Sequence, residues 1–401
     1  MDGRLLGVVV AGGGSASLDP LVSPGDAALT PFAGQYRFID FALATLANSG
    51  VRDVCVFAPE TDAALGAHVV RAGGAAAAER RALRSLPGMQ ATGTPARRLV
   101  EALQACRDLL GAHRPDAIVV LSADHILQLD LRPLAAAHAA FGADVTLVAL
   151  PLPASEAPGR AVLRIGGDGR VRHAERAPTA PAPSTATGGF ALGWAGDFIV
   201  RADALPAVLA ALAPDDVGDE ARFLAALAAR LRMTAYDLLD RHLPGASQGA
   251  YWHEPITLEA YYDAQMNLCT PRPFLDLYNP AWPVRAAAAG LAPAKVVADS
   301  AGRAGQALNS LVSEGSVIRG GLVVNSVLGH GVVVESGAEV EDSVLLDGCR
   351  IGRGALVRRA LVGPGAVIAE GEEIGYGAAP NAPGRLAPSG LTLVVASPAC
   401  A

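Results

Sequence analysis

Four short apolar runs open the chain's first two thirds: Leu5–Val10, Val54–Phe57, Ala117–Leu121 and Val145–Leu150. Each is too short for a helix and is bounded by turn formers or charges, so each reads as a buried strand. Between them, residues 41–48 and 98–110 place apolar side chains at helical spacing. Strand–helix alternation predicts an α/β domain with a mainly parallel, Rossmann-like sheet. Ligands of such sheets lie beyond the carboxyl ends of the strands. The Gly-rich stretch after Val10 and Ser122-Ala123-Asp124-His125 both fall on that edge.

The pattern changes after residue 308. Val312, Ile318 and Val324 are six apart, as are Leu328, Val334, Val340 and Leu346, then Ile351 and Val357, then Ile368 and Ile374. Glycines recur between them, among them Gly331, Gly337, Gly348, Gly354 and Gly365. A six-residue period with glycine turns predicts a parallel β-helix of roughly three to four coils, at three hexads per coil. An antiparallel strand run would show period two instead. The expected division is an α/β domain over 1–270, a Pro- and Ala-rich connector over 271–308, the β-helix over 309–385 and a tail over 386–401. The connector carries Tyr278 and Trp282, which call for burial.

Composition narrows the function. The chain has 401 residues, enough for two cores, and a net charge of −7 without a basic run. That balance argues against nucleic acid and anionic membranes as partners. Five scattered cysteines with no C-x-x-C pair argue against a zinc site or a disulfide framework. No run of 18 apolar residues appears, and the first apolar run is too short for a signal peptide, so the expected compartment is the cytoplasm.

The candidate chemistry starts at Ala11-Gly12-Gly13-Gly14-Ser15-Ala16-Ser17-Leu18-Asp19-Pro20-Leu21. Gly12, Gly13 and Gly14 after a strand form a loop whose backbone N–H groups can approach a phosphate. The loop resembles the A-G-G-x-G-x-R-L-x-P-L signature of sugar-1-phosphate nucleotidyltransferases. Further resemblances follow in order: Phe32-Ala33-Gly34-Gln35-Tyr36-Arg37-Phe38-Ile39-Asp40-Phe41, Ser122-Ala123-Asp124-His125, Tyr251-Trp252-His253-Glu254, Trp282-Pro283 and Ile351-Gly352-Arg353-Gly354. Together they resemble the ADP-glucose pyrophosphorylase family, also called glucose-1-phosphate adenylyltransferase, over nearly the whole chain.

The resemblance implies a left-handed β-helix and the reaction of ATP with glucose-1-phosphate to give ADP-glucose and pyrophosphate, as used in glycogen or α-glucan synthesis. It implies Mg2+ held by Asp124, also the catalytic aspartate, and by Glu254. It implies nucleotide binding by Gly12, Gly13, Gly14, Gly93 and Thr94. Sugar-phosphate binding falls to Glu175, Arg176 and Asp216, although an exposed Glu–Arg pair and a surface turn are equal readings of those positions. ATP and glucose-1-phosphate, or ADP-glucose, are the implied ligands, and a homo- or hetero-tetramer with an intact homologue is the implied assembly.

The departures from the family pattern are as informative. Ser17 stands at the loop arginine and Ala27 at the loop lysine. Trp194 replaces a small residue and is expected to obstruct the sugar pocket. Ala161 replaces a wall glycine, Ala96 the aspartate of a nucleotide-side motif, and Pro24-Gly25 a basic activator-binding pair. Arg97 is the nearest substitute cation. Loss of a transition-state donor costs roughly 100- to 1,000-fold. The sequence therefore predicts a catalytically impaired, regulatory-type subunit, with a working transferase of remodelled site as the alternative and a related transferase of a smaller ligand behind it.

Overall fold

The computed structural model describes residues 4–12, 18–19, 21, 27–59, 63–78, 81–86, 94–153, 160–176, 191–212, 216, 218–238, 242–245, 249–287, 289–376, 385–387 and 389–396. Leu5–Val10 is the central strand. It pairs in parallel with Asp53–Pro59 on one side and Ala117–Ser122 on the other, and Arg81–Leu86 continues the parallel set. Ala191–Arg201 runs antiparallel to Ala117–Ser122 and joins Ala161–Ile165 and Val145–Leu152 to the sheet. Val171–Arg176 and Met233–Asp237 complete nine strands among the described residues.

Burial on both faces explains the unbroken apolar runs. Leu6, Val8 and Val10 pack with Leu99, Leu103 and Cys106 of helix Pro95–His113 and with Phe223 and Leu227 of helix Glu220–Ala228. Val9 points the other way, onto Ile39, Leu43 and Leu46 of helix Phe38–Asn48 and Leu134 of helix Leu131–Phe141. The alternation along one strand thus builds two cores. Ala191–Arg201 was not legible as a strand because Gly193 and Gly196 interrupt it. A bulge between Trp194 and Phe198 absorbs that interruption, with Gly196 at φ 93°.

The second region is a left-handed parallel β-helix. Its three faces stack five strands, five strands and six strands among the described residues, and only the last strand pair is antiparallel. The stack begins at Lys295–Val297 and is closed by Thr392–Val394. It therefore takes in stretches that read from sequence as connector and tail. The inward row runs Ile318, Val334, Ile351, Ile368 on one face, Val323, Val340, Val357, Ile374 on the next, and Leu328, Leu345, Val362, Val394 on the third.

From Val323 to Val340 to Val357 the coil repeats every 17 residues, one short of three hexads. The missing residue is lost at a corner where Asn325, Asp342 and Arg359 take left-handed φ of 46°, 45° and 46°. Asn and Asp accept this conformation readily, and Arg359 costs roughly 1–2 kcal/mol there. The tight corner corrects two positions of the hexad row. Val323, not Val324, points inward, and Leu345 takes the place assigned to Leu346. Leu346 instead faces the α/β domain.

There it joins a shared cluster with Phe32, Tyr36, Phe41, Tyr261, Tyr262, Val327 and Leu361. Arg37 bridges to Asp347 at 2.5 Å, and the Tyr262 hydroxyl donates to the Asp342 carbonyl at 2.6 Å. Trp282 of the connector is buried as expected, whereas Tyr278 is 80% exposed.

Candidate active site

The end of strand Ala117–Ser122 carries a cluster of buried ionisable groups. The Ser122 hydroxyl donates to Asp124 Oδ1 at 2.5 Å, and His125 Nδ1 lies 3.1 Å from the same oxygen. His125 Nε2 reaches Asp197 Oδ2 at 2.9 Å, and the Ser122 backbone N–H donates to Asp197 Oδ1 at 3.0 Å. Asp197 is delivered by the bulge in Ala191–Arg201, and a Cβ on Gly196 would stand 3.5 Å from the His125 ring. Trp252 covers His125 with ring centroids 5.4 Å apart, and its indole N–H donates to the Ala195 carbonyl at 3.0 Å, fastening the bulge.

This packing sets the charges. Burial opposes a positive His125, but Asp197 and Asp124 outweigh it and push the imidazole up to about 10. Burial likewise raises the Asp124 carboxyl, while His125, the Ser122 hydroxyl and Arg98 together hold it at about 2. Asp124 is therefore a carboxylate beside an imidazolium at neutral pH, and His125 Nε2 lies against Asp197 on its other side.

Asp124 opens into a cavity of about 730 Å³ that also meets Val10, Arg98, Arg160, Glu220 and Glu254. Arg160 Nη1 donates to Glu254 Oε2 at 3.1 Å, and its guanidinium lies 4.6 Å over the Trp252 ring. Burial and the neighbouring Glu254 and Asp124 charges raise Glu220 to about 7. Burial and Asp124 raise Glu254 as well, against the pull of Arg160. Arg98 is nearly fully buried in the first turns of helix Pro95–His113. Desolvation lowers its pKa, and Asp124, Glu101 and Glu220 draw it back up.

Of the residues anticipated from sequence, Asp124 and Glu254 meet in this cavity. Gly12 turns the chain off the central strand at φ 100°. Thr94 caps helix Pro95–His113, its hydroxyl accepting from the Arg97 N–H at 3.3 Å. Glu175 is ion-paired with Arg164, and Arg176 with Asp219 at 2.9 Å, both on the rim of the sheet. Asp216 is half-buried and precedes helix Glu220–Ala228. None of these three is among the residues lining the cavity. Gly13, Gly14 and Gly93, and with them Ser17, Pro24 and Gly25, lie outside the described residues.

Two expectations change. Trp194 lines the cavity, but as a buried part of its wall. It is 4% exposed, stacked on Phe223 with centroids 5.9 Å apart, and its N–H donates to the Asp197 carbonyl at 3.2 Å. It is a core wall, because the bulge turns it toward the helices. Arg97 is not among the residues lining the cavity: its side chain is 65% exposed and paired with Glu101 one turn on. Arg98 is the arginine that enters the cavity. The i,i+4 spacing of Arg97 and Glu101, and of Arg98 and buried Ala102, contains that distinction. Arg160, Glu220 and Asp197 were also missed, since each reaches the site from a distant segment.

A mixed sheet with this cleft at its strand ends, followed by a hexapeptide β-helix, defines a nucleotidyl transferase. Residues 6–269 match the family model described as nucleotidyl transferase, and residues 292–394 match that of the GlmU-like C-terminal hexapeptide. The chain is 33% identical to a glucose-1-phosphate adenylyltransferase of Frankia casuarinae over 87% of each chain. It is 32% identical to that of an Anaeromyxobacter species, also over 87% of each. It is 33% identical to that of Thermus thermophilus over 79% of each. The chain belongs to the glucose-1-phosphate adenylyltransferase family. Among the described residues no helix is long and apolar enough to cross a membrane.

Proposed function

We propose that this chain is a regulatory-type subunit of the glucose-1-phosphate adenylyltransferase family that holds family ligands in its cleft but turns them over poorly. The ligands are ATP with glucose-1-phosphate, or ADP-glucose. Its place is the cytoplasm, in a tetramer with itself or with an intact homologue. The observation that carries this reading is the pairing of charge in the cleft. His125 lies between Asp124 and Asp197, Arg160 is bonded to Glu254, and buried Arg98 lines the same cavity as Asp124 and Glu220. Among the described residues, the cations of the cleft thus serve its own carboxylates. A leaving pyrophosphate needs cations that it alone engages in the transition state. Ala27, at the family's lysine position, is 5% exposed in a short helical turn and has no charge to offer.

Asp124 and Glu254 are the residues that would hold a magnesium ion. The donor set fits: both are hard oxygen ligands, and the contacts of Asp124 with Ser122 and His125 fall on Oδ1. The raised Glu220 marks surplus negative charge that a cation would relieve. Such an ion supplies charge neutralisation at the phosphates. The chain's own part is to orient Asp124 through Ser122 and His125, and to keep it ionised.

Pyrophosphate release from ATP and glucose-1-phosphate tests the reading. The chain alone should run at least about 100-fold slower than the Ser17→Arg/Ala27→Lys variant. Trp194 is left in place because it belongs to the core. Robust turnover by the unaltered chain would overturn the impaired reading in favour of a remodelled active transferase. Light scattering and co-purification with an intact homologue test the assembly. A monomer that leaves such a homologue's kinetics unchanged removes the regulatory role.

A further inference from the structure

We propose that Arg98 is a tethered cation that competes with a divalent ion for Asp124, so that the free chain holds no metal in its cleft. The idea deepens the reading of Asp124 and Glu254 as the metal-holding carboxylates and rests on it. Arg98 is 6% exposed and lines the same cavity as Asp124, Glu220 and Glu254. It is carried by helix Pro95–His113, which is fixed at its start by the Thr94 cap and Pro95 and seated on the sheet through Leu99, Ala102 and Leu103. Its position is therefore set by the fold and not by a flexible surface chain.

A buried guanidinium persists only where carboxylates compensate it. Asp124 and Glu220, which line the same cavity, supply that compensation together with Glu101 on the same helix. Arg160 does the same for Glu254 through a 3.1 Å bond. Both carboxylates that would face a metal thus already face a fixed positive group. A divalent ion entering the cavity that Arg98 and Arg160 both line meets repulsion from each. It must also compete with the contacts that Asp124 makes to His125 and Glu254 to Arg160. Removing the Arg98 charge while keeping its bulk reverses this balance. Asp124 then keeps His125 as its counter-charge on Oδ1 but loses the nearby guanidinium, and an ion can take that place.

Mn2+ titration of the full chain, read by electron paramagnetic resonance of the free ion, tests the proposal without any turnover. The Arg98→Met variant should bind one Mn2+ at least about tenfold more tightly than the unaltered chain. Arg98→Lys, which keeps the charge, should stay as weak as the unaltered chain, and Arg98→Met/Asp124→Asn should lose the gain. Identical titrations of the unaltered chain and Arg98→Met would overturn the proposal. Asp124→Asn alone provides a check that needs no change at Arg98, since it should leave the unaltered chain's weak titration as it is. Submillimolar Mn2+ binding by the unaltered chain that Asp124→Asn abolishes would equally overturn it. If Arg98→Met gains metal yet pyrophosphate release stays fast in the unaltered chain, the functional reading fails while this one stands.

Discussion

In the β-helix, buried polar groups are neutral and repeat. The Ser326 hydroxyl donates to the Val324 carbonyl at 2.7 Å and accepts the Ser343 N–H at 3.1 Å. One coil on, the Ser343 hydroxyl donates to the Glu341 carbonyl at 2.7 Å and accepts the Ala360 N–H at 3.1 Å. In the α/β domain, ionisable groups are buried as well, each in an arrangement that occurs once: His125 between Asp124 and Asp197, Arg98 beside Asp124 and Glu220, His68 on Asp40 at 2.7 Å. A hydroxyl supplies donor and acceptor at once, so a stack of coils can be satisfied with no net charge. The cleft instead concentrates charges whose desolvation must be offset by one another. It also leaves Glu220 raised to about 7, a state that no packing requirement calls for. Raised and lowered carboxyls side by side mark the region shaped for a ligand.

The largest test of this contrast is His125→Leu. It leaves Asp197, fully buried, and Asp124 without their shared counter-charge, and should cost about 3–5 kcal/mol in urea unfolding. The pH dependence follows the sign of the shifts. His125 is raised, so its contribution is complete below its unfolded value near 6.5 and is lost as pH climbs through about 10. Asp124 is lowered, so its contribution is complete above about 4 and is lost as pH falls through about 2. The variant should flatten the alkaline limb. A cost near zero would mean that the charges of the cleft do not support the fold.

Leu345→Ala should cost about 2–5 kcal/mol by emptying the inward row of one coil. Hydrogen exchange should place the loss in the β-helix and spare the amides of Leu5–Val10. Uniform loss across both regions would show that the shared cluster around Phe41 and Leu346 makes them one unit.

Ser343→Ala removes one rung of the hydroxyl ladder and leaves the Ala360 N–H without its acceptor. The expected loss is about 1–3 kcal/mol by denaturant titration. A smaller loss would place the stability of the stack in its apolar rows alone.

The smallest effect is expected at Glu220, and it changes with pH. Its raised value makes folding favour the protonated form, so stability declines as pH rises from about 4.5 through about 7. Glu220→Gln should therefore gain on the order of 1 kcal/mol at pH 8 and nothing at pH 5, read as thermal midpoints. An equal gain at both values would mean that the side chain acts through packing.

Much of this architecture is local, and the sequence alone determined it. Leu5–Val10 is a strand because six consecutive apolar residues can be buried only between two helical layers. The six-residue rhythm yields the β-helix because each short strand must present one side chain inward. Asp124 follows a buried strand and so lies at its carboxyl end, whatever the rest of the chain does. Only the tertiary structure decided the remainder. Asp197 reaches His125 across 72 residues through a bulge that local pattern reads as a break. Arg98 enters the cavity while Arg97 stays outside, because helix Pro95–His113 is rotated by its packing on Leu6 and Val8. Trp194 turns into the core, and the coil closes in 17 residues, because neighbouring segments offer Phe223 to stack on and a left-handed corner to turn through. Backbone geometry repeats along the chain and can be read from it. The partner of a buried charge is set by which distant segments the fold brings together, and no local period records that.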